Sequence, residues 1–250
     1  MPWQDTARFR MVVPGSGGGI ADRIFNARKA PESQADVLLA LSREEVEKLQ
    51  TRYPDKRIEL FPNGILHREL PESGDFRLKY NIPEDKKLLL CISRIDYQKN
   101  QKILLEILKK NSDTHLLLIG PVTAKWYLDE ILNEAKNAGI SARLTVIPGL
   151  PPDSLELLQA LKTAYCFILP SRHEPFGIAA LEALDAGVPL IAARVGGLRD
   201  FLIDGSNAAV HRDNKADTLG LELLYGGEVK AVALLVSVGN VGAAAKTPGT

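Results

Sequence analysis

Two short segments carry charged side chains at spacings that suit the binding of anions and polyols. In the first, Arg94 and Lys99 lie five residues apart, directly after an apolar run that ends at Ser93. A guanidinium fork and an ammonium group can bind a diphosphate together with backbone N–H groups at the start of a helix. An ordinary pair of solvated surface charges is the alternative.

The second segment carries two glutamates, Glu174 and Glu182, with seven residues between them. Pro175 fixes its own φ and Gly177 permits close approach of the backbone, so N–H groups at the start of the following helix can contact a ligand. Ionised carboxylates accept hydrogen bonds, and a polyol supplies many hydroxyl donors. The segment therefore predicts a polyol site, with an ordinary acidic helix N-terminus as the alternative.

Three weaker features accompany these segments. His173 precedes Glu174, but a single histidine without metal-ligand spacing is better interpreted as a polar loop residue. Gly196 and Gly197 follow a further apolar run, where they either admit a phosphate or sugar to backbone N–H groups or form a simple turn. The glycine-rich run at 14–19 lacks the Lys-Ser/Thr pair of a P-loop and follows no clear strand, so we expect a flexible loop.

The composition excludes several classes of protein. A chain of 250 residues with 45% hydrophobic and 25% charged residues can bury a core as one large or two small domains. Basic and acidic residues number 31 each, so no overall field attracts nucleic acid or an anionic membrane. Cys91 and Cys166 lie in apolar runs and residues 1–13 carry no secretory pattern, which indicates a cytoplasmic protein in a reducing compartment.

Alternating strands and helices must position the charged segments. Short Val/Leu/Ile-rich runs predict strands at 36–42, 58–61, 87–93, 115–120, 144–147, 165–169 and 190–193. Helical periodicity follows at 43–53, 98–110, 124–138, 154–163, 176–186 and 198–203. Ser42 and Glu45 predict a capping box for the first helix. The alternation predicts an α/β fold with a doubly wound parallel sheet, which binds ligands beyond the carboxyl ends of its strands.

The order of the motifs resembles that of one large family. The series is SQADVLLALS, FPNGI, SRIDYQKNQ, HLLLIG, LTVIPGLPPDS and LPSRHEPFGIAALEALDAGVPLIAARVGG. It is similar to the group 1 retaining glycosyltransferases, the family of glycogen and sucrose-phosphate synthases, which have two facing Rossmann-like domains. The resemblance covers about residues 35–209. It implies a remnant of the acceptor domain and linker at 1–66, and a Rossmann-like donor domain at 67–250 with an atypical tail from about 211.

The resemblance also implies roles for individual residues. Arg94 and Lys99 would hold the diphosphate of a nucleotide sugar and neutralise charge on the leaving nucleotide. Glu174 would lie near the transferred sugar, which makes these three the catalytic candidates, and Glu182 would bind the ribose hydroxyls. Backbone groups at four further positions would contact the sugar or the base, namely Phe176, Gly177 and Ile178 for the sugar and Leu150 for the base.

No metal and no cofactor are implied, because basic side chains take over the work of a cation, and the nucleotide diphosphate sugar is the donor substrate. The base, the sugar and the acceptor stay open. Arg199 and Asp200 stand where Pro-Glu is common, and most of an acceptor domain has no match. The chain is therefore interpreted as a transferase acting with retention, as a nucleotide-binding fragment without activity alone, or as half of a two-chain enzyme with a separate acceptor-domain partner. An exposed apolar face around 35–65 would favour the last.

Overall fold

Two parallel sheets organise the part of the chain that the computed structural model describes, residues 11–12, 35–152 and 154–211. The strands are β1 (Met11–Val12), β2 (Val37–Ala40), β3 (Arg57–Leu60), β4 (Lys87–Ile92), β5 (Thr114–Ile119), β6 (Leu144–Ile147), β7 (Cys166–Leu169), β8 (Leu190–Ala193) and β9 (Ala209–His211). The helices are α1 (Arg43–Arg52), α2 (Phe76–Lys79), α3 (Leu105–Lys110), α4 (Lys125–Asn137), α5 (Leu155–Thr163), α6 (Ile178–Asp185) and α7 (Leu198–Phe201).

The larger sheet has the strand order β6-β5-β4-β7-β8-β9, and every neighbouring pair is parallel. Numbered along the chain within this sheet, the order is 3-2-1-4-5-6, which is that of the Rossmann fold. The predicted α/β class with a doubly wound parallel sheet is confirmed. The direction of winding reverses between β4 and β7, so the crevice at their carboxyl ends is the switch point where such sheets bind ligands.

Both faces of this sheet are buried because its strands are almost continuously apolar. In β4, Leu88 and Leu90 pack into one core while Leu89 and Cys91 pack into the other, since successive side chains point to opposite faces. Helices α2, α5, α6 and α7 cover the first face, and α3 and α4 cover the second. This rigid support fixes where each strand ends, and hence where the loops of the carboxyl edge begin.

The two cysteines are part of these cores, as predicted. Cys91 and Cys166 are free and buried. Burial raises the pKa of each thiol to about 12, so both remain protonated and unreactive at neutral pH.

The smaller sheet has the order β1-β2-β3 and is covered by α1. One of the two hydrogen bonds of the predicted capping box of α1 is formed, because Ser42 Oγ accepts from the backbone N–H of Glu45 at 3.2 Å. The Glu45 carboxylate does not return to Ser42 but accepts from the N–H of Leu41 at 2.7 Å. The reciprocal half of the box is therefore shifted by one residue.

Four short elements were not predicted, and one of them is β9, the last strand of the larger sheet, which has only three residues. β1 precedes the glycine-rich run at 14–19, so the expectation that no strand precedes it is wrong, since two residues give too little periodicity to detect. The run itself, and the tail from residue 212, lie outside the described residues. Helix α2 and the 3-10 helix Ser141–Arg143 are each about a single turn, which periodicity also misses.

Residues 61–75 connect β3 to α2 without helix or strand. The domain boundary at residue 66 stays a prediction. Within the described ranges, the helices are too short or too polar to span a lipid bilayer.

A buried histidine lies at the amino end of the larger sheet. His115 on β5 is 1% exposed, and its Nε2 lies 2.8 Å from Thr145 Oγ1 on β6. Nδ1 has no hydrogen-bond partner among the described residues. Burial, together with the charges of Arg77 and Arg143, lowers the pKa of His115 from 6.5 to about 4.

Acidification from pH 6.5 to pH 4 is therefore expected to destabilise the fold through His115. Over this window the unfolded chain takes up a proton at this residue that the native state does not bind, which reduces the free energy of unfolding by about 2–3 kcal/mol. The variant His115→Gln should lose less stability over the same window. Urea unfolding of both proteins at several pH values measures the difference, and parallel pH curves would contradict it.

Candidate active site at the carboxyl edge

The predicted phosphate-binding and sugar-binding residues lie on opposite sides of the switch point. Arg94 and Lys99 occupy the loop that follows β4, and Glu174 lies in the loop that follows β7. Because β4 and β7 are adjacent parallel strands, their carboxyl ends bring these two loops together.

The closest contact between the two loops is a buried ion pair. Lys99 Nζ donates to Glu174 Oε2 at 2.6 Å, and the two residues are 7% and 9% exposed. Ser171 Oγ lies 3.3 Å from the same carboxylate oxygen and also donates to it. Removing either charged partner would leave a buried charge uncompensated. The pair holds the ammonium group in the crevice, where it would also attract an anionic ligand.

Arg94 lies nearer the solvent than Lys99. Its side chain is 51% exposed, and its guanidinium lies 3.4 Å from Asp96 Oδ2. The other oxygen of Asp96 accepts from the backbone N–H groups of Gln98 and Lys99, at 2.9 and 3.2 Å. One carboxylate thus contacts the Arg94 side chain and the backbone of Lys99. The sequence analysis missed Asp96, although an aspartate just before a helical turn is a recognisable N-cap signal.

The predicted helix at 98–110 is broken, and the break lies beside Lys99. Two 3-10 helices, Tyr97–Lys99 and Gln101–Leu104, precede α3. Asn100 separates them with φ of 57°, in the left-handed region that asparagine adopts more readily than most residues. Periodicity detects the apolar face of the whole segment but not this local reversal.

The helix after Glu174 begins two residues later than predicted, at Ile178. Gly177 precedes it with φ of 102°, and a Cβ there would lie 2.3 Å from Leu198 Cδ2. The Phe176 side chain is buried against Phe201, with ring centroids 5.6 Å apart. The Phe176 side chain is therefore withdrawn from the surface and Gly177 has none, so any ligand contact there would be made by backbone groups, and the contact of both residues with a sugar stays a prediction.

Glu182 lies one turn further along α6, beside a cavity of about 360 Å³. Ile178 and Pro152 also line this cavity, whereas Arg94, Lys99 and Glu174 do not. Leu150, predicted to meet the base, is half-buried two residues before Pro152. The structure thus places Glu182 and Ile178 on one cavity, with Leu150 close along the chain, and Lys99 with Glu174 at the switch point.

The glycine pair after β8 is explained by packing between loops. Gly197 N donates to the carbonyl of Glu174 at 3.0 Å. A Cβ at Gly196 would lie 1.9 Å from that carbonyl oxygen, and one at Gly197 would lie 2.5 Å from the Pro175 oxygen. The pair supports the Glu174 backbone, and no ligand is required to account for either glycine.

His173 lies in a loop, as the sequence predicts, and is exposed beside Glu174. No group of three or more His, Cys, Asp or Glu side chains suited to a metal ion occurs in the ranges that the structure describes.

Comparison with known proteins identifies the family. The family model of the group 1 glycosyl transferases matches residues 73–224, and the chain belongs to this family. It is 29% identical over 206 residues to a D-inositol 3-phosphate glycosyltransferase of Corynebacterium diphtheriae, covering 74% of this chain and 47% of that protein. The chain spans about half the length of the curated relatives it matches.

Solved structures share the fold at lower identity. Sucrose-phosphate synthase from Thermosynechococcus elongatus superimposes with a TM-score of 0.69 at 21% identity, over 89% of this chain and 60% of that one. Anabaena Alr3699/HepE, solved in complex with UDP and glucose, gives a TM-score of 0.70 at 19% identity, over 80% and 56% of the two chains.

Replacing Gly196 is expected to disturb the Glu174 loop. Gly196→Ala introduces a positive-φ alanine and a contact of 1.9 Å with the Glu174 carbonyl, so the backbone must shift. Gly205→Ala is the matched control, because Gly205 also has positive φ (70°) but nothing within 4 Å of the added Cβ. Urea unfolding should show Gly196→Ala to be less stable than the control by about 1–3 kcal/mol. Equal stabilities would contradict the packing role.

Proposed function

We propose that this chain is the donor-binding half of a glycosyltransferase. It binds a nucleotide diphosphate sugar at the carboxyl edge between β4 and β7 and, completed by an acceptor domain, transfers the sugar with retention of anomeric configuration. The observation that carries the proposal is the placement of Arg94 and Lys99 opposite Glu174 across the switch point. The complex of Alr3699/HepE with UDP and glucose supports this assignment.

In this proposal Lys99 and Glu174 bind different parts of the donor, the diphosphate and the sugar. The Lys99 ammonium and the Arg94 guanidinium bind the diphosphate and neutralise the charge that develops as the glycosidic bond breaks. The Glu174 carboxylate accepts hydrogen bonds from hydroxyl groups of the sugar, beside the backbone at 176–178. Because Lys99 and Glu174 are buried, their interactions with a ligand are weakly screened by solvent.

The cavity beside α6 supports the placement of the nucleoside. Glu182 binds the ribose hydroxyls and the backbone at Leu150 meets the base, with Ile178 and Pro152 supplying apolar contact area. We propose that no metal and no cofactor take part, since the Lys99 ammonium and the Arg94 guanidinium can neutralise a diphosphate without a cation. The two free, buried cysteines support a cytoplasmic location.

A second candidate function is one half of a two-chain enzyme. Apolar side chains are exposed in and just after the smaller sheet, with Leu60 at 41%, Phe61 at 63% and Leu66 at 79%. Exposed apolar side chains concentrated in one segment favour a protein partner. A separate acceptor-domain chain is the partner that this arrangement fits best.

Loss of the Arg94 guanidinium is expected to weaken donor binding. A charged hydrogen bond contributes about 1.5–3 kcal/mol, so Arg94→Ala should reduce affinity for the bound nucleoside diphosphate by about 10- to 100-fold. Lys102→Ala is the control, because Lys102 lies on the same segment but pairs with Glu130 and Glu134. Calorimetric titration with UDP, GDP and ADP, with and without EDTA, provides the measurement. Unchanged affinity in Arg94→Ala would exclude the phosphate assignment.

Turnover assays are expected to separate the forms of the proposal. Release of nucleoside diphosphate from UDP-, GDP- and ADP-sugars is measured for the chain alone and after addition of extract from the source cells. Release by the chain alone supports a self-sufficient transferase, and release only with extract supports the two-chain enzyme. Binding without release in either case supports a nucleotide-binding fragment. Absence of binding to every nucleotide contradicts the proposed function.

A further inference from the structure

Arg172 makes several contacts across the switch point that no predicted role accounts for. Its backbone N–H donates to the carbonyl of Gln98 at 2.7 Å, which joins the loop after β7 to the loop after β4. Its side chain reaches the same turn, where Nε donates to Asn100 Oδ1 at 3.2 Å. The guanidinium carbon lies 4.2 Å from the centroid of the Tyr97 ring. One arginine therefore touches three of the four residues of the turn at 97–100.

These contacts surround Lys99 without touching it. Gln98 and Asn100 adjoin Lys99 in the chain, Tyr97 lies two residues before it, and Glu174 lies two residues after Arg172. Arg172 forms no ion pair with a carboxylate in residues 35–152 and 154–211, so its contacts are with the turn rather than with a counter-ion. A planar guanidinium suits this combination of stacking and directed hydrogen bonding, which a lysine does not reproduce.

The hydrogen bond from Arg172 to Asn100 is the most important of these contacts for the conformation of the turn. Asn100 is buried, and its left-handed φ of 57° is less favourable for a residue with a Cβ than an ordinary helical conformation. Its Nδ2 has no partner within the described residues, so the bond from Arg172 to Oδ1 is what fixes the amide. Rotation of Asn100 out of this conformation would carry the adjoining Lys99 away from Glu174.

We propose that Arg172 is a positioning residue, which stacks on Tyr97 and holds Asn100 so that Lys99 stays against Glu174. Its consequence for donor binding rests on the function proposed above. Its consequence for Lys99 does not, because the Lys99–Glu174 ion pair is an interaction between two residues of the chain itself. The two consequences are therefore tested by separate measurements.

The first measurement is the reactivity of Lys99 in the ligand-free chain. Acylation by an N-hydroxysuccinimide ester is quantified by peptide mass spectrometry. Arg172→Met removes the guanidinium and keeps the aliphatic stem, and should raise the labelling rate of Lys99 about tenfold, since loosening the turn exposes the amine. Arg57→Met is the matched control, because Arg57 is a remote, largely exposed arginine on β3. Arg172→Lys should not restore protection, because it lacks the planar fork.

General unfolding is distinguished by the buried thiols. Cys91 and Cys166 should stay unreactive toward a maleimide in Arg172→Met if only the turn has loosened. If they react, the same pair of labelling assays is applied to Tyr97→Leu, which removes the stacking platform alone. The proposal is overturned if a variant whose thiols stay unreactive labels Lys99 at a rate within twofold of the parent. It is also overturned if, in both variants, Lys99 becomes exposed only when the thiols react as well.

The second measurement is the affinity for the nucleoside diphosphate that binds the parent chain. Arg172→Met should bind it about tenfold more weakly. Glycine adopts the left-handed conformation without strain, so Asn100→Gly should depend less on Arg172. In the Asn100→Gly background, Arg172→Met should lower the logarithm of the affinity by less than half of what it does in the parent chain. Full additivity would overturn the coupling through Asn100. If UDP, GDP and ADP all fail to bind the parent, the proposed function fails, and the labelling of Lys99 still decides the role of Arg172.

Discussion

The arrangement of the site depends on one buried ion pair between loops from the two halves of the sheet. Lys99 and Glu174 are 75 residues apart in sequence, yet their charged atoms lie 2.6 Å apart. Two charges withdrawn from water are stable only where geometry and further hydrogen bonds compensate for lost hydration. Ser171 bonds the carboxylate, and Asp96 fixes the turn that carries the lysine. The loops after β4 and β7 must therefore keep the geometry that preserves this ion pair and its hydrogen bonds.

Close approach of backbones supplies much of that constraint. At Gly120, after β5, an added Cβ would lie 1.9 Å from the Ser93 carbonyl oxygen. At Gly196, after β8, it would lie equally close to the Glu174 carbonyl. These glycines let the loops after β5 and β8 pack on those after β4 and β7. Four consecutive loops of the edge thus form a single layer, which holds the polar groups in place more firmly than side-chain contacts alone.

The sequence predicts the large sheet well because its strands are apolar on both faces and its helices have clear periodicity. It also places Arg94, Lys99 and Glu174 on one edge, since parallel strands bring the loops after them together. The Lys99–Glu174 contact and the break at Asn100 were not predictable, because both are set by contacts between distant segments. Short-range contacts can also differ from the prediction, since the Glu45 carboxylate accepts a hydrogen bond from the N–H of Leu41 and not from that of Ser42.

Arg199 and Asp200 connect the smaller sheet to this layer. Asp200 Oδ2 accepts from the backbone N–H of Arg43 at 2.8 Å, at the positive end of α1. Arg199 lies 3.6 Å from Glu44 on the same helix. Both belong to α7, which begins directly after the glycine pair that touches Glu174. A shift of the smaller sheet would therefore act on the Glu174 loop through α7, so these two residues link the orientation of that sheet to the geometry of the site.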